Sequence, residues 1–202
     1  MHIIETHTAP NPRRVRIFLA EKGITVPFEE GDLQAGVRTP AYTALNPMRR
    51  VPTLILDDGT AISESVAICR YFEELHPQPA LFGRGAIGRA TVEMWNRRVE
   101  LGLFAAVAHV FRHLHPKMAS FEVPQVAAWG EANKAKVVEM LRMLDAGLER
   151  QEFIAGDEYS IADITTLVAI DFMKPARLER PQGLANLARW HAQVSARPSA
   201  QA

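Results

Sequence analysis

Along the first third of the chain, short apolar runs alternate with stretches whose apolar residues recur every three or four positions. Residues 2–6 are compact and apolar enough for a buried strand. Asn11-Pro12 then opens a helix, with Asn as a cap for orphan N–H groups and Pro where a missing N–H is harmless. Val15, Phe18 and Leu19 follow at helical spacing, and Gly23 after Lys22 is a stop signal. Residues 26–29 predict a second strand, and Thr39-Pro40 starts a short helical piece ending near Asn46-Pro47. Residues 53–57 and 60–62 flank Asp58-Gly59, a favoured two-residue hairpin turn. A helix begun at Ser63-Glu64-Ser65 carries Val66, Ile68, Tyr71, Phe72 and Leu75 as far as His76-Pro77. The order β-α-β-α-β-β-α predicts a mixed sheet, with a right-handed crossover in front and an antiparallel hairpin behind.

Past residue 78 the period changes. Residues 77–88 hold two prolines and three glycines and read as a linker. Beyond it only helical spacing remains, at 87–114, 124–150, a segment starting at Ser160, and 184–197 closed by Pro198. The reading is therefore a small α/β domain over 1–78, a linker over 79–86 and an all-helical bundle over 87–202. Ser160-x-x-Asp163 is a capping box, with Tyr159 and Ile164 placed as a hydrophobic staple. That motif serves folding, not chemistry.

Charge narrows the function. Twenty-three Lys and Arg balance 23 Asp and Glu, so there is no electrostatic footprint for nucleic acid and no polybasic segment for an anionic membrane. No apolar run approaches the ~18–20 residues that span a bilayer, and the first residues lack the pattern of a signal peptide. Cys69 is the single cysteine and forms no intrachain disulfide. A reducing, cytoplasmic location is expected.

Four segments carry a resemblance: Pro10-Asn11-Pro12-Arg13-Arg14-Val15 running on to Glu21-Lys22-Gly23; Asn46-Pro47-Met48-Arg49-Arg50-Val51-Pro52-Thr53-Leu54; Glu64-Ser65 at a helix start; and Phe153-Ile154-Ala155-Gly156 with Tyr159-Ser160-Ile161-Ala162-Asp163. In this order and spacing the chain resembles the cytosolic glutathione S-transferases over essentially its whole length. The resemblance implies a thioredoxin-like N-terminal domain, an all-helical C-terminal domain and a homodimer. It implies glutathione as co-substrate and a small hydrophobic electrophile or organic hydroperoxide as second substrate, with no metal. The rival is a non-catalytic protein of the same fold, either a carrier of apolar ligands or an interaction module.

By resemblance, Val51-Pro52 is a cis turn whose main-chain groups pair with the extended peptide of glutathione, a strand-addition contact. Ser65 takes the γ-glutamyl carboxylate at a helix start, where orphan N–H groups and the helix dipole favour an anion, and Glu64 takes the ammonium group. Ser63 stands as the simple cap of that helix. Arg50 stands beside the bound peptide, where the family has Lys or Gln, and Arg49 stands where Gly is usual. An arginine there, Arg50 or Arg38, suits the glycyl carboxylate in a bidentate contact, although for Arg38 a solvated surface charge is the better reading.

The family holds the glutathione sulfur as a thiolate with a hydroxyl or thiol just before the first helix. Here that position is Ala9. Two candidates remain: Thr8, one residue earlier, and Asn11, whose amide sits at the positive end of the helix. Asn11 equally suits a pure capping role. Phe104, Val107 and Phe111, with Met118 beside them, imply an apolar wall for the electrophile, and helix packing explains the same residues. His109, His113 and His115 cluster late in the long helix, but no carboxylate or cysteine completes a metal site. Cys69 reads as a buried structural thiol.

Overall fold

The computed structural model describes residues 1–31, 37 and 39–202. The chain divides into two compact units, Met1–Leu81 joined by Pro198–Ala202, and Phe82–Arg197. Arg38 lies outside the described residues.

The first unit runs β1 (His2–Glu5), α1 (Pro10–Glu21), β2 (Phe28–Glu30), α2 (Pro40–Leu45), β3 (Thr53–Ile55), β4 (Ala61–Ser63) and α3 (Ser65–Leu75). The sheet order is β2-β1-β3-β4. β1 is parallel to β2, with Ile3 opposite Phe28, and antiparallel to β3, with Ile4 opposite Thr53. β3 and β4 form the antiparallel hairpin. This is the thioredoxin-like arrangement. Ile3 and Leu54 from the sheet, Val15 and Phe18 from α1, and Ile68 and Phe72 from α3 form its buried core. Glu5 is buried as well, and its charge is met by an ion pair with Arg16 of α1. The C-terminal tail is tied to α1, for Arg13 donates to the Ala200 carbonyl and Ser199 to the Glu21 carboxylate.

β2 begins at Phe28 and not at residue 26, and residues 79–81 and 198–202 group with the first unit, not with a linker or the helical domain. Three further local details differ from the sequence reading. α1 starts one residue before Asn11, with Ala9 in the cap position and no side-chain cap. Pro10, whose ring presets a helical φ, takes the first helical position and moves Asn11 into the first turn. The hairpin loop is one residue longer than Asp58-Gly59. The turn spans Leu56 to Gly59, Gly59 adopts φ +85°, and the Leu56 N–H bonds the Thr60 carbonyl at 2.9 Å. Glycine is the residue that accepts this left-handed position, as in a three-residue loop closed by a bulge. Finally, Ser63 ends β4 instead of capping α3, and Glu64 takes the cap position.

The stop of α1 follows the sequence signal. Gly23 has φ +64°, its N–H bonds the Ala20 carbonyl, and the Ile24 N–H bonds the Leu19 carbonyl, the paired closure that a left-handed residue permits.

The second unit contains α4 (Gly85–Arg98), a π-helical turn (Val99–Phe104) that leads into α5 (Ala105–Leu114), then α6 (Ala127–Gly147), α7 (Ile161–Phe172) and α8 (Ala185–Ser195). α7 is buried at every residue from 161 to 170, so it is the central helix of this unit. Its capping box is formed: the Asp163 carboxylate accepts from the Ser160 N–H and hydroxyl, the Ile154 N–H and the Trp190 ring N–H. No helix among the described residues is long and apolar enough to cross a membrane.

Candidate active site

In the first unit, the loop between α2 and β3 is held by a closed set of hydrogen bonds. The Tyr42 hydroxyl donates to the Arg50 carbonyl at 2.6 Å and pairs with the Thr53 hydroxyl at 2.8 Å. The Asn46 amide donates to the same carbonyl and to Thr53, while its oxygen accepts from the Met48 N–H. With the Tyr42 proton given to Arg50, the Thr53 hydroxyl donates to Tyr42, and every group is satisfied. Burial raises the Tyr42 pKa above its ordinary value, which keeps the phenol a donor. Arg49 sits at φ +54° inside this loop, so the chain keeps a glycine-like conformation with an arginine in place.

The brace ends at Val51. The Val51–Pro52 bond is cis, and both residues are buried. Pro52 has no N–H, so the ladder starts at Thr53. Among the described residues, nothing bonds the Val51 N–H or carbonyl, leaving a main-chain donor and acceptor at the end of β3. The Val51 side chain packs in a cluster with Val37 and Tyr42, against Ile4 and Ala9. The turn before β3 thus meets the turn before α1. The Arg50 side chain is exposed and has no partner among the described residues.

Two helix N-termini converge beside this point. In α1, Pro10 and Pro12 have no N–H, so the first turn keeps a single open main-chain donor, that of Asn11. In α3 no side chain caps the start, and the first-turn N–H groups remain open. Glu64 precedes it at φ +70°, ψ 116°, a conformation costly for a residue with a Cβ, by about 1–3 kcal/mol. Such strain at a loop-to-helix junction marks a place where side-chain direction matters. The Ser65 hydroxyl, 4% exposed, accepts from Arg14 at 2.9 Å and faces the Asn11 amide oxygen at 3.4 Å. Thr8 is exposed and its hydroxyl has no partner among the described residues. The structure therefore brings Asn11 and Ser65 into direct contact, with Ala9 packed on Val51.

The sequence reading missed Arg14, Tyr42 and the bracing roles of Asn46 and Thr53. Arg14 carried a faint signal, being four residues before Phe18 on the apolar side of α1. Cys69, one turn along α3 from Ser65, is fully buried and its thiol is pushed up to about 12 by burial, with Arg14 pulling the other way. It is inert.

In the helical unit, Phe104 and Phe111 both meet the Phe172 ring edge-on, with centroids at 6.3 and 5.0 Å. Val107 has no accessible surface and acts as packing, whereas Phe111 is half-buried. The histidines close loops: His113 accepts from the Val126 N–H and His115 from the Lys117 N–H. His109 stacks on His113 and meets Trp129, and burial lowers its pKa.

Comparison with known proteins decides between families that share this fold. The description "Glutathione S-transferase, N-terminal domain" matches residues 8–75, and "Glutathione S-transferase, C-terminal domain" matches residues 104–198. The chain belongs to the glutathione S-transferase family of enzymes. Glutathione S-transferase 2 of Saccharomyces cerevisiae is 34% identical over 203 residues, covering 98% of this chain and 87% of that protein. The crystal structure of Gtt2 from Saccharomyces cerevisiae has a TM-score of 0.95 at 33% identity, over 100% of this chain and 99% of that one. A theta class glutathione S-transferase from Xanthomonas axonopodis pv. citri, solved with glutathione bound, has a TM-score of 0.82 at 28% identity, over 99% and 94% of the two chains.

Proposed function

We propose that this protein binds glutathione in its first unit and conjugates it to a small hydrophobic electrophile, in a detoxifying role. The observation that carries this reading is the convergence of the unpaired Val51 main chain, the uncapped start of α3 at Ser65 and the open N–H of Asn11. An extended peptide adds to Val51 as a short antiparallel strand. Its γ-glutamyl carboxylate meets the Ser65 hydroxyl and the α3 N–H groups, and its ammonium meets Glu64. Arg50, exposed and unpaired, reaches the glycyl carboxylate. The thiol loses its proton to solvent, and the thiolate is held by Asn11 at the positive end of α1, with Thr8 as the second donor. Attack on the electrophile forms the C–S bond as the leaving group departs with its electron pair. Phe104 and Phe111 are assigned to the apolar wall.

A homodimer fits the surface of the helical unit. Leu101 is 61% exposed and Met143 37%, and with Met140 they form the apolar part of a shallow, open surface groove edged by Arg97 and Arg98. An apolar face of this kind on a folded unit suits a second copy.

Ala9 favours a second reading, binding without turnover, because the usual hydroxyl is absent. Titration calorimetry with glutathione, followed by turnover of an aryl halide and of an organic hydroperoxide, separates the two. Binding with conjugation supports the transferase, and hydroperoxide turnover alone would make it a peroxidase. Binding with neither makes it a carrier.

A further inference from the structure

We propose that Arg14 is a positioning residue for ligand recognition, acting through Ser65 to make its hydroxyl a dedicated donor to a carboxylate. The inference rests on the reading of Ser65 as the γ-glutamyl site. Arg14 is 1% exposed, and its guanidinium donates to the Ser65 oxygen at 2.9 Å. An arginine has donors and no acceptor, so this bond occupies a lone pair of the hydroxyl and turns its proton away from Arg14. The proton faces the Asn11 oxygen at 3.4 Å, at the long limit of a hydrogen bond, so a closer acceptor captures it readily. A carboxylate is such an acceptor, and O–H···O⁻ bonds are shorter and stronger than neutral ones. The buried guanidinium thus lies one hydrogen bond behind the start of α3 and acts on a ligand there through the Ser65 hydroxyl.

A guanidinium held for α1–α3 packing alone has no reason to affect one end of a ligand more than another. Arg14 acting through Ser65 does. Its removal selectively erases the preference for a ligand with a carboxylate at that end.

The test uses the full chain, titration calorimetry and two ligands. One is glutathione, and the other is 4-aminobutyryl-cysteinyl-glycine, identical except that it lacks the γ-glutamyl α-carboxylate. Wild type is expected to prefer glutathione by roughly ten- to hundredfold. Arg14→Met and Ser65→Ala should each collapse most of that preference, and the double variant should be no worse than either single one, since both remove the same contact. Arg14→Lys, which keeps a charge and a donor, should retain most of it. Equal weakening of both ligands by Arg14→Met, or factors that multiply in the double variant, overturns the proposal. Arg14→Gln, neutral and nearly as long, covers the case in which Met does not fold. It should lower the preference by at least about threefold, and an unchanged preference overturns the proposal equally. If Ser65→Ala leaves the wild-type preference intact, the assignment of Ser65 falls and Arg14 falls with it. If Ser65→Ala alone erases the preference, the glutathione site stands and only Arg14 is excluded.

Discussion

The Tyr42 hydroxyl donates to the Arg50 carbonyl at 2.6 Å, and so fixes the residue next to the open main chain of Val51. Tyr42→Phe leaves that carbonyl with the Asn46 amide and strips the Thr53 hydroxyl of its acceptor. The expected cost in stability is about 1 kcal/mol, read by chemical denaturation. If Val51 holds the peptide, KM for glutathione rises while kcat changes little. A lower kcat at unchanged KM would place Tyr42 outside peptide positioning.

Arg49 tests how much strain the same loop stores. It is left-handed at φ +54°, which costs a residue with a Cβ about 1–2 kcal/mol. Arg49→Gly removes that cost and adds freedom to the unfolded chain, so a net gain of up to about 1 kcal/mol is expected. Differential scanning calorimetry checks it. A loss of stability would mean that the arginine side chain contributes more than its backbone costs.

Much of this arrangement was legible in the residues, and the illegible part has a common cause. The alternating periods, Gly23 after Lys22 and the Ser160–Asp163 box are local signals, and each forms the element it predicts. Asn11 misled because two signals competed at adjacent positions. An Asn suited to capping follows a Pro suited to the first helical turn, and the proline prevailed. Arg14 acts through a partner 51 positions away, Ser65, and Tyr42 and Thr53 act on each other and on Arg50 across an irregular loop with no period of its own. Spacing carries no trace of such pairs. Val107 shows the limit from the other side, since an apolar residue on a helix looks the same whether it faces a ligand or the core.

Asp163 gives a prediction on pH. Burial pushes its pKa up to about 6, although four donors pull it down. The unfolded value is ~3.9. Because the folded value is the higher one, the folded state binds this proton more tightly. The stability from this group is full below about pH 4 and lost as pH rises through 6. Stability measured by urea denaturation should therefore fall between about pH 4 and pH 6 by an amount on the order of 1–3 kcal/mol from this group, and level off above that range. Asp163→Asn removes that slope. It also turns an NH₂ toward two donors, so the variant is less stable throughout, by about 2–4 kcal/mol. A variant with the wild-type slope would assign the dependence to another group.

The dimer prediction concerns Leu101, on the exposed face of the π-helical turn. Light scattering at micromolar concentration should give twice the chain mass of 22.5 kDa. Leu101→Glu should shift it toward the monomer, because a charge in a desolvated contact is costly. A monomeric wild type refutes the homodimer, and a Leu101→Glu variant that stays dimeric moves the contact elsewhere.

The last prediction concerns the sulfur, for which Ala9 provides no hydroxyl. Asn11 offers a main-chain N–H and a side-chain amide at the positive end of α1, whereas Thr8 offers an exposed hydroxyl. Since Ala9, not Asn11, holds the cap position, Asn11→Ala should cost little stability, within about 0.5 kcal/mol. A change in activity is then free of the usual cost of losing a cap. The thiol pKa of bound glutathione, read from thiolate absorbance against pH, should rise in Asn11→Ala because the anion loses a donor that the neutral thiol needs less. Asn11→Asp should raise it further, since a carboxylate beside the thiolate repels it. Thr8→Val should raise it as well, by less than Asn11→Ala does, because Thr8 is the second donor. A rise in Thr8→Val with none in Asn11→Ala exchanges the two roles. No rise in any of the three leaves the Asn11 main-chain N–H and the dipole of α1 as the groups that hold the anion.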